Sequence, residues 1–173
     1  DTFGPYAFII YSIAVSLRDL GMTMAPQNAF QTLLGLETLS LRMKKHVSNS
    51  IKIANWLEKH PKIEKVTYAG LKSSEYFKTA KTILPKGAGA LFTISLKDGY
   101  EACMKMISKL NLFSHVSNLG DTRSLIIHPA STVHRQLTEE QQKNAGLAPN
   151  VIRLSIGIED PKDLINDLQH ALE

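Results

Sequence analysis

A lone arginine in an alternating strand is the clearest place in this sequence where chemistry could be done. In Val151-Ile152-Arg153-Leu154-Ser155-Ile156-Gly157-Ile158-Glu159-Asp160-Pro161, side chains alternate with period two. Ile152, Leu154, Ile156 and Ile158 therefore share one face, and Arg153, Ser155 and Gly157 the other. The first face reads as core. The second sets a guanidinium among small residues, with room above the sheet for a flat anion such as a carboxylate held by a two-pronged fork. A solvated arginine on a half-buried strand has the same pattern, and the strand alone does not choose between the two.

The other stretch with chemical content is Ser117-Asn118-Leu119-Gly120-Asp121-Thr122-Arg123-Ser124-Leu125-Ile126-Ile127-His128-Pro129-Ala130-Ser131-Thr132. It is dense in groups that bind anions or turn the chain, and Gly120 would let backbone amides near Leu119 approach a ligand closely. A tight turn and a proline-bounded loop, with polar side chains satisfying their own backbone, explains the same residues. Other chemistries lack their motifs. His128 and His134 are six apart across a proline, His46 and His60 lack the spacing for a shared metal, and no His-Cys cluster occurs, so no metal is expected. There is no Walker or dinucleotide glycine loop and no nucleophile elbow.

The elements that must position these residues follow from periodicity. Residues 1–20 read as an apolar helix stopped by Gly21. Pro26 opens the longest periodic segment, in which Leu36, Leu39, Met43, Val47, Ile51, Ala54 and Leu57 recur at three- and four-residue steps until Pro61 follows His60. Ala25 supplies no cap there, and a bend is expected at Gly35, near a change of stripe. Strands are expected over 63–69 and 89–97, and helices over 74–84 and 99–110. Residues 113–118 and 124–128 read as two short strands joined as a hairpin through Leu119-Gly120-Asp121. Thr138-Glu139-Glu140-Gln141 has the capping-box form, and Asp160-Pro161-Lys162-Asp163 gives the last helix a cap, a first-turn proline and an acid at its positive end. The connections are too short for many parallel crossovers. The fold class is therefore α/β of the α+β kind, a mainly antiparallel sheet with helices on one face, its other face turned to a partner domain.

Composition sets the outer limits. The 173 residues are 43% hydrophobic, enough for one domain with a real core, or one domain and part of another. The net charge of +4, from 20 basic and 16 acidic residues, is spread along the chain, and its densest patch at 42–46 lies within a helix. No nucleic-acid partner is expected from it. The single cysteine, Cys103, excludes an internal disulfide, fits a reducing, cytoplasmic compartment and reads as core. No stretch approaches a membrane span, and the apolar run 6–15 lacks the flanks of a signal peptide. That run looks like protein interior, which makes Asp1 an odd start and leads us to expect a piece of a longer chain.

Ser117 to Asp121, Ser124-Leu125-Ile126-Ile127-His128-Pro129-Ala130-Ser131 and Ile152 to Asp160 together resemble the closing domain of the pyridoxal-phosphate enzymes of cysteine and methionine metabolism. Leu17-Arg18-Asp19-Leu20-Gly21, Gly35-Leu36-Glu37-Thr38-Leu39-Ser40-Leu41-Arg42-Met43 and Leu112-Phe113-Ser114-His115 are most similar to its O-acetylhomoserine sulfhydrylase branch. The resemblance implies a C-terminal small domain of a fold-type I pyridoxal-phosphate transferase. Residues 1–25 would end the large cofactor-binding domain, 26–60 would be a connecting helix, and 61–173 the small domain.

The implied reaction is γ-replacement of the acetate of O-acetylhomoserine by sulfide or a thiol, giving homocysteine or methionine. The related γ-synthases and γ-lyases are alternatives. By resemblance the substrate carboxylate is gripped by Arg153, with Asn118 and the backbone amide of Leu119 as a second contact. Many relatives carry Ser at the position of Asn118. Ser124 and Thr132 are further pocket candidates; Val133 stands where the family often has a Thr near the substrate. The family's cofactor lysine lies in a Ser-x-Thr-Lys setting that does not occur in this chain. Pyridoxal 5'-phosphate is therefore expected on the protein's own N-terminal domain, and this chain alone is expected to be inactive, with no catalytic or cofactor-binding residue of its own. A homotetramer is also implied. A free-standing amino-acid-binding domain without catalysis would explain the missing lysine directly, but not the apolar start. A purely structural domain that mediates oligomerisation is a third possibility.

Overall fold

The computed structural model describes residues 3–173, so Asp1, the residue behind the expected cut, lies outside the described residues, as does Thr2. The chain divides into two compact units, one up to Ser40 and one over Leu41–Glu173. In the first, a 3-10 turn (Gly4–Tyr6), α1 (Ala7–Tyr11), a π-helical stretch (Ser12–Leu17) and α2 (Arg18–Leu20) run on from one another. Gly21 ends them at φ 62°, a left-handed conformation that glycine takes without steric cost. Helix α3 (Pro26–Glu37) starts without a side-chain cap, as Ala25 dictates. The expected bend is displaced from Gly35 to Thr38, where φ is -100° and ψ 0°, and α4 (Leu39–Leu57) follows. Gly35 keeps the helical conformation although glycine is less favourable in a helix than threonine, so intrinsic propensity does not place the break.

The second unit is built on a five-stranded sheet ordered β1-β2-β5-β4-β3. Its strands are β1 (Ile63–Thr67), β2 (Leu91–Leu96), β3 (Ser114–His115), β4 (Leu125–Ile127) and β5 (Val151–Ser155). Strand β5 is central, antiparallel to β2 on one side and to β4 on the other. Cross-strand partners share a face, so Phe92 and Ile126 flank Leu154 while Ile94 flanks Ile152. Ile53, Ala54 and Leu57 of α4, Cys103 and Met106 of α6 (Gly99–Lys109), and Leu164, Leu168, Ala171 and Leu172 of α8 (Pro161–Leu172) complete this core. Full burial of side chains such as Ile152, Leu154 and Leu168 stabilises the fold by about 1.5–3 kcal/mol each. The mainly antiparallel sheet with helices on one face is thus the architecture found. Two shorter helices, α5 (Phe77–Ile83) and α7 (Glu139–Asn144), lie within the connections.

Two features of the termini match their residue types. Asp160 Oδ1 accepts the Lys162 N–H at 2.8 Å ahead of α8, and Thr138 and Gln141 exchange the two bonds of a capping box, at 2.9 and 3.3 Å, ahead of α7. One feature does not match. β3 and β4 pair in parallel, Ser114 with Leu125 and His115 with Ile126, so the expected hairpin is absent. The Ile158 N–H donates to Thr122 O at 2.9 Å and the Ser124 N–H to Glu159 Oε1 at 2.6 Å, drawing the end of the loop to the exit of β5. The chain must therefore turn back twice before β4 begins, a path that a hairpin signal in the local sequence does not contain.

The turn from α6 into β3 hangs on one buried carboxylate. Asp167 of α8 accepts the Asn111 N–H at 3.0 Å and the Leu112 N–H at 2.9 Å. Replacing it with alanine leaves both donors unpaired, and urea unfolding should show a loss of about 1–3 kcal/mol.

Candidate functional site

The face of β5 opposite the helices carries Arg153, beside Thr93 of β2 and Ile127 of β4. It is less open than period-two patterning implies, because Ser155, Leu125 and Ile127 are buried there. The 3-10 turn Pro129–Ser131 packs against β5, and further along α4 reaches the strand's exit: His46 Nδ1 meets Ile156 O at 2.6 Å, and Asn49 Nδ2 donates to Gly157 O and Glu159 O at 3.1 and 2.8 Å. What remains accessible is the neighbourhood of Arg153 itself.

Arg153 is half-buried, and desolvation pushes its pKa down from the ordinary arginine value while leaving it a cation at neutral pH. Its Nη2 donates to Ser117 Oγ at 3.1 Å. Among the described residues no carboxylate lies within ion-pair distance of it. A half-buried guanidinium with one neutral acceptor among the described residues and four further N–H donors is set to receive an anion.

The loop residues singled out by sequence fall into two groups. Asn118 and Leu119 stand exposed beside Ser117, and Asn118 Oδ1 accepts the Leu119 N–H at 2.8 Å, so that amide already points at a carbonyl-type oxygen. Ser124 and Thr132 have other duties. Ser124 is fully buried; its hydroxyl donates to Glu159 Oε2 and accepts the Gly157 N–H, both at 2.9 Å. Thr132 donates to His128 O at 2.7 Å. Val133 is exposed.

Sequence reasoning misses three contributors. Ser117 is visible only as one polar residue among many, and nothing local marks it as the partner of a residue 36 positions away. Glu159 closes the end of the loop onto β5 through Ser124. His128, which has no metal-ligand spacing, is buried against Tyr100, with ring centroids 5.1 Å apart. Its Nδ1 accepts the Ser131 N–H at 3.2 Å, which leaves Nε2 as the protonated nitrogen to donate to Pro149 O at 2.8 Å. This holds the 3-10 turn and hence Thr132. Cys103 is core: it is buried, and burial pushes its thiol up to about 11, away from nucleophile chemistry.

The same loop holds an exposed pair. Arg123 donates to Asp121 through Nε and Nη2 at 3.2 and 3.1 Å and through its backbone N–H at 3.0 Å, which lowers the Asp121 carboxyl to about 2. The depressed value means that the pair's small contribution to stability is present above the unfolded pKa of about 4 and is lost as the pH falls from there through about 2. A carboxyl NMR titration should find the low midpoint, and Arg123→Ala should raise it only part of the way to the ordinary value, because the backbone N–H at that position still donates to Asp121.

Residues 8–173 match the family described as Cys/Met metabolism PLP-dependent enzyme. The chain is 45% identical over 99% of its length to O-acetyl-L-homoserine sulfhydrylase 1 of Thermus thermophilus, spanning 41% of that protein. It is 47% identical over 96% of its length to O-acetyl-L-homoserine sulfhydrylase of Leptospira meyeri, spanning 38%. A Campylobacter jejuni structure assigned as an O-acetylhomoserine (thiol)-lyase, carrying N'-pyridoxyl-lysine-5'-monophosphate, superposes with a TM-score of 0.89 at 45% identity, covering 99% of this chain and 41% of that one. The chain thus spans about two fifths of the length of these relatives. With the match running through the α4 contacts, the loop ahead of β4 and the arginine strand alike, the chain belongs to the family of pyridoxal-phosphate-dependent enzymes of cysteine and methionine metabolism.

Proposed function

We propose that this chain is the carboxylate-gripping part of a pyridoxal-phosphate enzyme that replaces the acetate of O-acetylhomoserine with sulfide or a thiol, giving homocysteine or methionine. One observation carries the reading: the half-buried Arg153 guanidinium has, among the described residues, a single neutral partner and an accessible edge. The names of the relatives supply the substrate class. Within this reading Arg153 holds the substrate carboxylate by a two-pronged contact. The Leu119 N–H offers a further donor once an incoming oxygen takes the place of Asn118 Oδ1. The Ser124–Glu159 pair keeps the loop against β5.

The cofactor, which supplies the electron sink of the reaction, does not fit the residues present. The lysine that anchors it must be withdrawn from water at a closed site, yet no lysine side chain among the described residues is buried. Its binding is assigned to parts of the protein outside this chain.

The test is an assay of the full-length protein loaded with pyridoxal phosphate. O-acetylhomoserine with sulfide should yield homocysteine, and the 173-residue chain alone, given the cofactor, should yield none. Release of 2-oxobutyrate from methionine without any homocysteine synthesis would overturn the replacement reading in favour of a γ-lyase.

A further inference from the structure

A guanidinium has two edges able to take a carboxylate with two parallel bonds. One pairs Nε–H with a hydrogen of Nη2, and the other pairs Nη1–H with the second hydrogen of Nη2. Nη2 belongs to both. In Arg153 this shared nitrogen donates to Ser117 Oγ at 3.1 Å. An acceptor there occupies one prong of one edge and leaves the other edge whole. A neutral hydroxyl does so without cancelling the charge, which an aspartate at the same place would do.

The contact is produced by the fold. Val116 N–H donates to Ser114 O at 3.0 Å, turning the chain sharply just after β3, and Ser117 thereby reaches past β4 to the arginine on β5. Ser117 is itself exposed, and its hydroxyl is engaged by Arg153 alone among the described residues. A stability role is therefore small.

We propose that Ser117 is a positioning residue for Arg153. Its hydroxyl holds the guanidinium in one orientation before substrate arrives and leaves a single edge for the carboxylate, so the substrate binds in one registration. Holding a rotamer-rich side chain in place beforehand removes part of the ordering cost of binding. The proposal rests on the reading of Arg153 as the carboxylate grip.

Steady-state kinetics of the cofactor-loaded full-length protein test it with Ser117→Ala, Ser117→Thr and Arg153→Lys. Ser117→Ala should raise KM for the amino-acid substrate about 5- to 10-fold, as for the loss of one ordinary hydrogen bond, with kcat changed far less and the thermal midpoint unmoved. Ser117→Thr, which keeps the hydroxyl, should restore KM to within about threefold of the parent. In the Arg153→Lys background, where there is no fork to orient, Ser117→Ala should have no further effect. An unchanged KM in Ser117→Ala, alongside a large effect of Arg153→Lys, overturns the role of Ser117 and leaves the carboxylate grip standing. No effect from either variant overturns both. A parallel fall in kcat that Thr does not rescue also overturns the positioning role.

Discussion

Replacing Arg153 with alanine in the full-length protein is expected to raise KM for the amino-acid substrate by about 30-fold to several thousand-fold, while the protein stays folded. The range corresponds to roughly 2 to 5 kcal/mol, the cost of truncating one partner of a buried, hydrogen-bonded charge pair. The large value follows from what the alanine leaves behind. The substrate carboxylate would enter a partly dry site beside Ile127 and Thr93 with no cation to meet it. The fold has less at stake, because in this chain the guanidinium makes one bond, to Ser117, and no ion pair among the described residues. Arg153→Lys should fall between parent and alanine, since it keeps the charge and loses the planar fork. If KM is unchanged in the alanine variant, Arg153 is a solvated strand residue and the carboxylate reading is wrong.

The second large effect belongs to a residue with no side chain. Gly157→Ala should destabilise the protein by about 1–3 kcal/mol, the usual cost of forcing a methyl group into filled space. Two of the three clashing atoms are backbone and cannot swing away. A Cβ there would lie 2.6 Å from the carbonyl carbon of Arg123 and in hard contact with the Thr122 carbonyl oxygen and Glu159 Oε2. Gly157 is not among the positive-φ glycines, so the conflict is steric rather than conformational. Relief requires moving Thr122 and Arg123 away from β5, which strains the Ile158–Thr122 hydrogen bond and the Ser124–Glu159 pair. Thermal unfolding should show the midpoint falling by about 2–4 °C for each kcal/mol lost. A midpoint equal to that of the parent would show that the loop gives way freely, and would remove Gly157 from the contacts that hold it.

Some positions are legible from residue order alone. Ile152, Leu154 and Ile156 face the core because a strand has period two, and Arg153 falls on the opposite face for the same reason. The cap at Asp160 and the Thr138–Gln141 box are local devices, complete within a few residues, so residue type suffices to find them. The family resemblance is equally local, carried by short motifs at the loop and the arginine strand.

Residue order thus settles the short-range choices: helix or strand, buried face or open face, capped or uncapped end, and the lone cation on the last strand. Tertiary packing settles which distant groups meet. It places Ser117 on Arg153, closes Ser124 onto Glu159, sets Asn49 and His46 against the exit of β5, and turns an expected hairpin into a parallel pair. These contacts join residues from about 35 to 110 positions apart in the chain, except for the strand pair, whose direction depends on such a contact. Periodicity and capping report only on neighbours within a turn or a pleat. The pairing of remote groups depends on how the whole core packs, and on the requirement that buried donors and acceptors find partners within it.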